Sequence, residues 1–284
     1  MQRRLLAVHA HPDDESLTMA ATLAQAGAAG AEVTLVTATL GEEGEVIGDE
    51  LQGLVAQRAD QLGGYRLWEL RNACAALQIA DQRLLGGIGA FRDSGMVGTP
   101  SAAHPRAFIR ATAGGPDHQR AVAALVEVID EIRPQVLLTY AADGGYGHPD
   151  HIAAHQVAVA AAAAAGWKPP RVLAVVRPRT AVTAAFARYR WPAGYQSAGP
   201  AEVGFLADDD TVVAAVPVGA AAEARNAALA AHRTQVELLD GGFALSNRIA
   251  QPLLDHEYYQ LLAGSTPATD ADAGPTADIF AGLA

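Results

Sequence analysis

The sequence has one cysteine among 284 residues, which excludes an internal disulfide and fits a reducing compartment. Cys74 lies in the helical apolar stretch Asn72-Ala73-Cys74-Ala75-Ala76-Leu77. There it reads as a buried small hydrophobe and not as a nucleophile. Basic charge is also scarce, with 20 Lys and Arg against 31 Asp and Glu and a net charge of -11. Without a basic stripe to meet a phosphate backbone, nucleic acid is not an expected partner. No apolar run reaches the length of a bilayer span, and the alanine tract from Val157 to Ala165 is too short. The basic start Met1-Gln2-Arg3-Arg4 precedes only a short apolar run that ends in charged residues, so no signal peptide is expected. A soluble cytoplasmic protein without membrane attachment is the expectation, with the oligomeric state left open.

What is present suits a large α/β core: 50% of residues are hydrophobic and mean hydropathy is +0.11. Residues 4–10 read as a buried strand, 16–28 as its helix and 31–38 as a second strand. This β-α-β opening implies a mostly parallel, Rossmann-like sheet flanked by helices. Its first turn lacks Gly-x-Gly-x-x-Gly, which disfavours a nucleotide-binding oxidoreductase. A loop with Glu42, Glu43 and Glu45 either binds sugar hydroxyls or is solvated. A helical region over 51–78 follows, with Gly63-Gly64 expected to break it and expose Arg66. A short strand and Gly-rich loop occupy 83–98, and 98–118 reads as a surface excursion with His104 and His118 exposed. Further elements are helix 119–132, strand 135–140, helix 149–165, a strand from Arg171, a rim or lid over 180–200, strand 211–218 and helix 219–238. The fold class is therefore α/β with a smaller C-terminal α/β extension. One domain over 1–263 is expected, with a core at 1–180, an extension at 181–263 and a flexible tail at 264–284.

Two turns carry chemistry. The first is His9-Ala10-His11-Pro12-Asp13-Asp14-Glu15-Ser16, between the first strand and its helix. The second is Gly144-Gly145-Tyr146-Gly147-His148-Pro149-Asp150-His151, after the apolar run Val136–Tyr140. Both contain His-Pro-Asp, and ligand sites in α/β folds gather at the C-terminal ends of strands. Imidazoles with a carboxylate suit zinc or ferrous iron. A catalytic zinc wants three protein ligands, and His11, Asp14, His148 and His151 are four candidates, with the one left free undecided. Asp13, beside the ligands, is a reasonable general base. His155 lies four residues after His151 but without the following glutamate of zincin helices, so it reads as helix packing or a support to the site. His9 should point to the opposite face from His11. Helix capping alone would also place Asp and Pro at helix starts, but two such turns each bringing an imidazole to one sheet edge favours a metal site.

These residues resemble the LmbE-like (PIG-L-like) de-N-acetylases, on His11-Pro12-Asp13-Asp14 and His148-Pro149-Asp150-His151. The stretch from Gly41 to Asp49, with Asp60 to Arg66 and Phe91 to Met96, is similar to the branch of that family acting in mycothiol biosynthesis. The resemblance covers most of positions 4–262. It implies zinc-dependent hydrolysis of the acetamide of an N-acetylglucosaminyl-inositol, a small-molecule amino-sugar substrate, with one Zn2+ per subunit and Fe2+ as an alternative. By resemblance the metal ligands are His11, Asp14 and His151, and Asp13 is the general base. His148 is then the free imidazole, protonated and either stabilising the oxyanion or protonating the amine. Asp150 orients His148, Tyr146 assists at the tetrahedral intermediate, and Arg66 and Asp93 hold sugar and inositol hydroxyls. The rivals are a mycothiol S-conjugate amidase with the same fold and, from another class, a non-catalytic sugar-binding protein.

Overall fold

The protein is described by a computed structural model over residues 2–268 and 274–283. Its first strand, β1 (Arg4–His9), has Leu5, Leu6, Ala7 and Val8 at 0–1% exposure. A strand covered by helices on both faces has no solvent side, so its residues run apolar without alternation. The same holds for β2 (Glu32–Thr37), β4 (Val136–Tyr140) and β5 (Arg171–Pro178). With β3 (Asp81–Leu84) they form a parallel array in the order β3-β2-β1-β4-β5. The order reverses direction between β1 and β4, and the crevice at such a switch point opens at the strands' C-terminal ends. Both His-Pro-Asp turns leave these two neighbouring strands. That is the architectural fact on which the site depends.

Helices α1 (Asp14–Thr18) and α2 (Ala20–Ala28) replace the single helix expected over 16–28. The break is at Met19, whose backbone leaves the helical region (φ -137, ψ 6) while its side chain is fully buried. The helical region expected over 51–78 contracts to α3 (Leu62–Ala76). Gly63 and Gly64 sit in the first turn of α3 and do not break it. A Cβ at Gly63 would lie 2.8 Å from Glu42 Cγ and 3.0 Å from Leu40 Cβ, so glycine lets the helix press onto the 40–42 loop. Helix α4 (His118–Ile132) covers the sheet beside α5 (Pro149–Ala164). Cys74 is buried in α3 as expected, and burial pushes its thiol well above the ordinary range. The 98–118 excursion is tied down by Ala107, Phe108 and Ala111, all at 0% exposure.

The region after β5 adds strands to the same sheet and also builds a small one of its own. Helix α6 (Arg179–Arg188) and the short strands β6 (Gln196–Ser197) and β7 (Leu206–Ala207) occupy the expected rim. Strand β8 (Val212–Pro217) precedes α7 (Ala222–Ala231), which ends at His232 and not at 238 as expected. Strands β9 (Glu237–Leu239), β10 (Gly242–Ala244) and β11 (Ile249–Pro252) form a small second sheet with β6. The last strand, β12 (His256–Gly264), runs antiparallel between β5 and β8. Beyond it, the expectation of a flexible tail does not hold for the described residues. Ile279 and Phe280 are 4% exposed and Thr276 bridges Ala214. The buried Arg171 guanidinium donates to the carbonyls of Ser265, Thr266, Ile279 and Ala281. Positions 269–273 of that expectation lie outside the described residues.

Candidate metal centre

The first turn is held by its own polar atoms. His11 N–H donates to Asp14 Oδ2 at 2.9 Å, and the Asp13 carbonyl accepts from Ser16 N and Leu17 N. Asp13 has φ 114, a conformation that costs a non-glycine residue on the order of 1–3 kcal/mol and persists only where neighbours enforce it. Arg66 is one enforcer. Expected to be exposed, it is 3% exposed and donates to Gly41 O, Pro12 O and Asp13 Oδ2, the last at 3.0 Å.

The second turn is shaped by Gly144, Gly145 and Gly147, all at positive φ. A side chain at Gly144 would strike His151 Cβ at 2.7 Å, so glycine lets the loop fold over the first turn of α5. His148 is the N-cap of that helix, its Nδ1 accepting from Asp150 N at 3.2 Å, with Pro149 in the first turn. His151 Nδ1 lies 3.0 Å from the Gly144 carbonyl, which leaves Nδ1 as the donor and Nε2 as a bare lone pair. That Nε2 is buried, has no hydrogen-bond partner, and sits 3.4 Å from Asp14 Oδ1.

The two turns therefore meet. Nitrogen atoms of His11, His148 and His151 lie within 4.8 Å of one another. Asp14 faces two of these rings, at 3.5 Å from His11 Nδ1 and 3.4 Å from His151 Nε2, using different oxygens. His11 Nε2 points the other way, 3.3 Å from Asp150 Oδ2 and 3.5 Å from Asp93 Oδ1. A carboxylate on one ring nitrogen with the other turned to a cluster is the arrangement that orients a metal-bound imidazole. The donor set, and the unpartnered His151 nitrogen in it, fit a divalent cation.

Several expected roles are relocated. Asp150 was expected to orient His148, yet its carboxylate meets His11 and accepts from Ser94 N at 2.9 Å. Only its backbone N–H reaches His148, because the helix cap takes that imidazole's Nδ1. Burial pushes His148 down to about 3, and the neighbouring His11 and His151 add to this, which opposes the protonated state expected for it. Asp93 is 4% exposed and binds Glu43 N and Gly95 N, with His11 holding its carboxyl below the usual range against the effect of burial. Tyr146 is half-exposed with its ring 5.0 Å from that of His151. Asp13 is pushed up to about 7, chiefly by burial and opposed by Arg66. In the loop read as either sugar-binding or solvated, the Glu42 carboxylate is buried and accepts from Asp93 N. Glu43 pairs with Arg92 at 2.9 Å. His155 supports the Tyr140 carbonyl at 2.8 Å.

Three site residues escaped the sequence reading. Tyr140 donates to Asp14 Oδ2 at 2.6 Å, accepts from Ala10 N at 2.8 Å and stacks on His151 at 4.3 Å between ring centroids. Glu15 and His232, both at 0% exposure, pair at 2.7 Å behind Asp13. Glu15 alone left a signal, as a third acid in the first turn with no role assigned to it.

A doubly wound sheet with imidazole–carboxylate turns at its switch point defines an α/β protein with a candidate site for a divalent metal. Residues 6–162 match the family described as GlcNAc-PI de-N-acetylase, PIG-L, and the chain belongs to that family. It is 69% identical over 281 residues to the 1D-myo-inositol 2-acetamido-2-deoxy-alpha-D-glucopyranoside deacetylase of Nakamurella multipartita, covering 99% of this chain and 96% of the relative. The enzyme of the same name from Rhodococcus erythropolis is 46% identical over 294 residues, covering 99% and 98%. In fold the chain is similar to the zinc-inhibited form of the teicoplanin deacetylase Orf2, with TM-score 0.55 and 20% identity over 93% of this chain and 100% of that one. The chain is thus a hydrolytic de-N-acetylase. No helix among the described residues is long and apolar enough to cross a membrane.

Proposed function

We propose that this enzyme hydrolyses the acetamide of 1D-myo-inositol 2-acetamido-2-deoxy-α-D-glucopyranoside to acetate and the free amine, with zinc as its metal, in the cytoplasm. The observation that carries the reading is the convergence of His11, His148 and His151 nitrogens within 4.8 Å, beside Asp13 and Asp14. We take His11, Asp14 and His151 as the residues that hold the metal. His148, whose Nδ1 accepts from the α5 cap, is left free in this reading, as the family resemblance implies. A divalent ion there supplies Lewis-acid polarisation of the acetamide carbonyl and a more acidic water.

The chain's own groups do the rest. Asp13 accepts a proton from the attacking water as its oxygen bonds to the carbonyl carbon. With Nδ1 accepting the Asp150 N–H, the His148 proton sits on Nε2. This favours donation to the developing oxyanion over delivery of a proton to the amine, the two roles the sequence left open. Tyr146, at the open side of the same cluster, is a second donor to that charge. The carbon–nitrogen bond then breaks as Asp13 passes the proton taken from water to the nitrogen, which leaves as the amine, and acetate remains. Asp93 and Arg66 line the substrate side in this reading, Arg66 chiefly by fixing the turn that carries Asp13. The test is acetate release from this substrate by the zinc-loaded protein. Turnover lost to a chelator and restored by zinc is expected, and undiminished turnover in metal-free protein would overturn the reading.

A further inference from the structure

Glu15 and His232 come from opposite ends of the chain and meet with both side chains at 0% exposure. Glu15 Oε2 accepts the Asp13 N–H at 3.1 Å. Its Oε1 accepts from Ser16 Oγ at 2.6 Å and faces His232 Nε2 at 2.7 Å. With the hydroxyl and the amide as donors, the carboxylate is acceptor-only, so the imidazole is the third donor. Thus Asp13, at φ 114, is gripped on its N–H by a carboxylate that a distant imidazole holds in place.

The grip reaches further. His232 ends α7, and its carbonyl accepts from Gln235 N and Val236 N. In the turn between, the Thr234 carbonyl accepts Ile47 N at 2.8 Å, while Thr234 N and Oγ1 donate to the Glu69 carboxylate at 2.8 and 2.6 Å. One short turn of the C-terminal region therefore fastens the 41–49 loop, α3 and the first metal turn together.

We infer that His232, acting through Glu15, is a positioning residue that fixes the backbone of Asp13 so that its carboxylate is presented to the reacting water. The inference rests on Asp13 being the base. A residue that orients a site group from outside it is typically worth about 10–100-fold.

The test compares His232→Leu, which removes the donor, with His232→Gln, which keeps a donor at similar reach. Both are measured as zinc-loaded protein for kcat, KM, zinc per chain and melting temperature, with the acetylated glucosaminyl-inositol as substrate. His232→Leu is expected to lower kcat about 10-fold or more with KM and zinc content unchanged, and His232→Gln to recover most of it. If His232→Leu folds poorly, Glu15→Gln reads the same link, since one amide oxygen cannot accept on both sides. A kcat within twofold of the parent, a loss confined to zinc content or KM, or no recovery with His232→Gln would overturn the inference. An Asp13→Asn variant run alongside separates the causes. Full turnover there removes the base itself, whereas loss there with none at His232 removes only the positioning role.

Discussion

Tyr140 at the end of β4 donates its hydroxyl to Asp14 Oδ2 at 2.6 Å, joining residues 126 positions apart. It ties the turn after β1 to the strand that leads into the other turn, and its ring stacks on His151. In Tyr140→Phe the stack survives, but the Ala10 N–H loses its acceptor and Asp14 Oδ2 keeps only the His11 N–H. The expected outcome is about 1–3 kcal/mol lower stability and roughly 10-fold weaker zinc binding. Chelator competition and thermal melting check both.

For Asp13, substitution by Asn keeps the shape and the Arg66 contact but removes the proton acceptor. We expect zinc content to stay at the parental level while kcat falls by about 10²–10⁴-fold. Metal analysis beside initial rates settles it, and a metal-free variant would instead make Asp13 a ligand.

Arg66 binds two carbonyls and Asp13 from a position 3% exposed, so its loss strands the Gly41 and Pro12 carbonyls and a partly buried carboxylate. Arg66→Ala should lower stability by about 3–5 kcal/mol and reduce kcat as well as raise KM. A pure KM effect at full stability would make it a substrate contact alone.

Arg171 holds the C-terminal segment through four carbonyls. In Arg171→Ala, Ile279 and Phe280 should detach, with early proteolytic cleavage after residue 264 and a lower melting temperature. Proteolysis followed by mass measurement reports it.

Glu257 caps α2, its buried carboxyl accepting from Ala21 N, Thr22 N and Thr22 Oγ1. Burial raises it above the ordinary glutamate value in spite of these bonds. Above that ordinary value the folded chain keeps a proton that the unfolded chain has lost. The contribution of this group is therefore fully present at lower pH and is lost as pH rises through the raised value. Melting temperature measured against pH should show that decline in the parent, and Glu257→Gln should flatten it.

Much of the site was legible in the sequence because its parts are local. The strand–turn–helix passages around His11 and His148 are each encoded within about ten residues, by an apolar run, a proline and capping acids. The parallel sheet followed from the same alternation of strands and helices. Less legible were Arg66 and the tail. Glycine in a helix looks like a break until a neighbouring loop is seen pressing on it, as at Gly63. A polar C-terminal stretch looks free until the carbonyls around Arg171 are counted.

By itself the sequence determined the two turns, their residue types and the strands and helices that flank them, since these depend on short-range propensity and pattern. Tertiary structure alone decided how each group is used. Asp150 went to His11 because a helix cap had taken His148 Nδ1, and Arg66 turned inward because α3 lies on the 40–42 loop. His232 came to stand behind Asp13 because β8, the edge strand paired to β12, leads into α7, which packs on α1 and α2 and ends at His232. Hydrogen-bond partners across such distances are chosen by packing, which no local stretch of sequence contains.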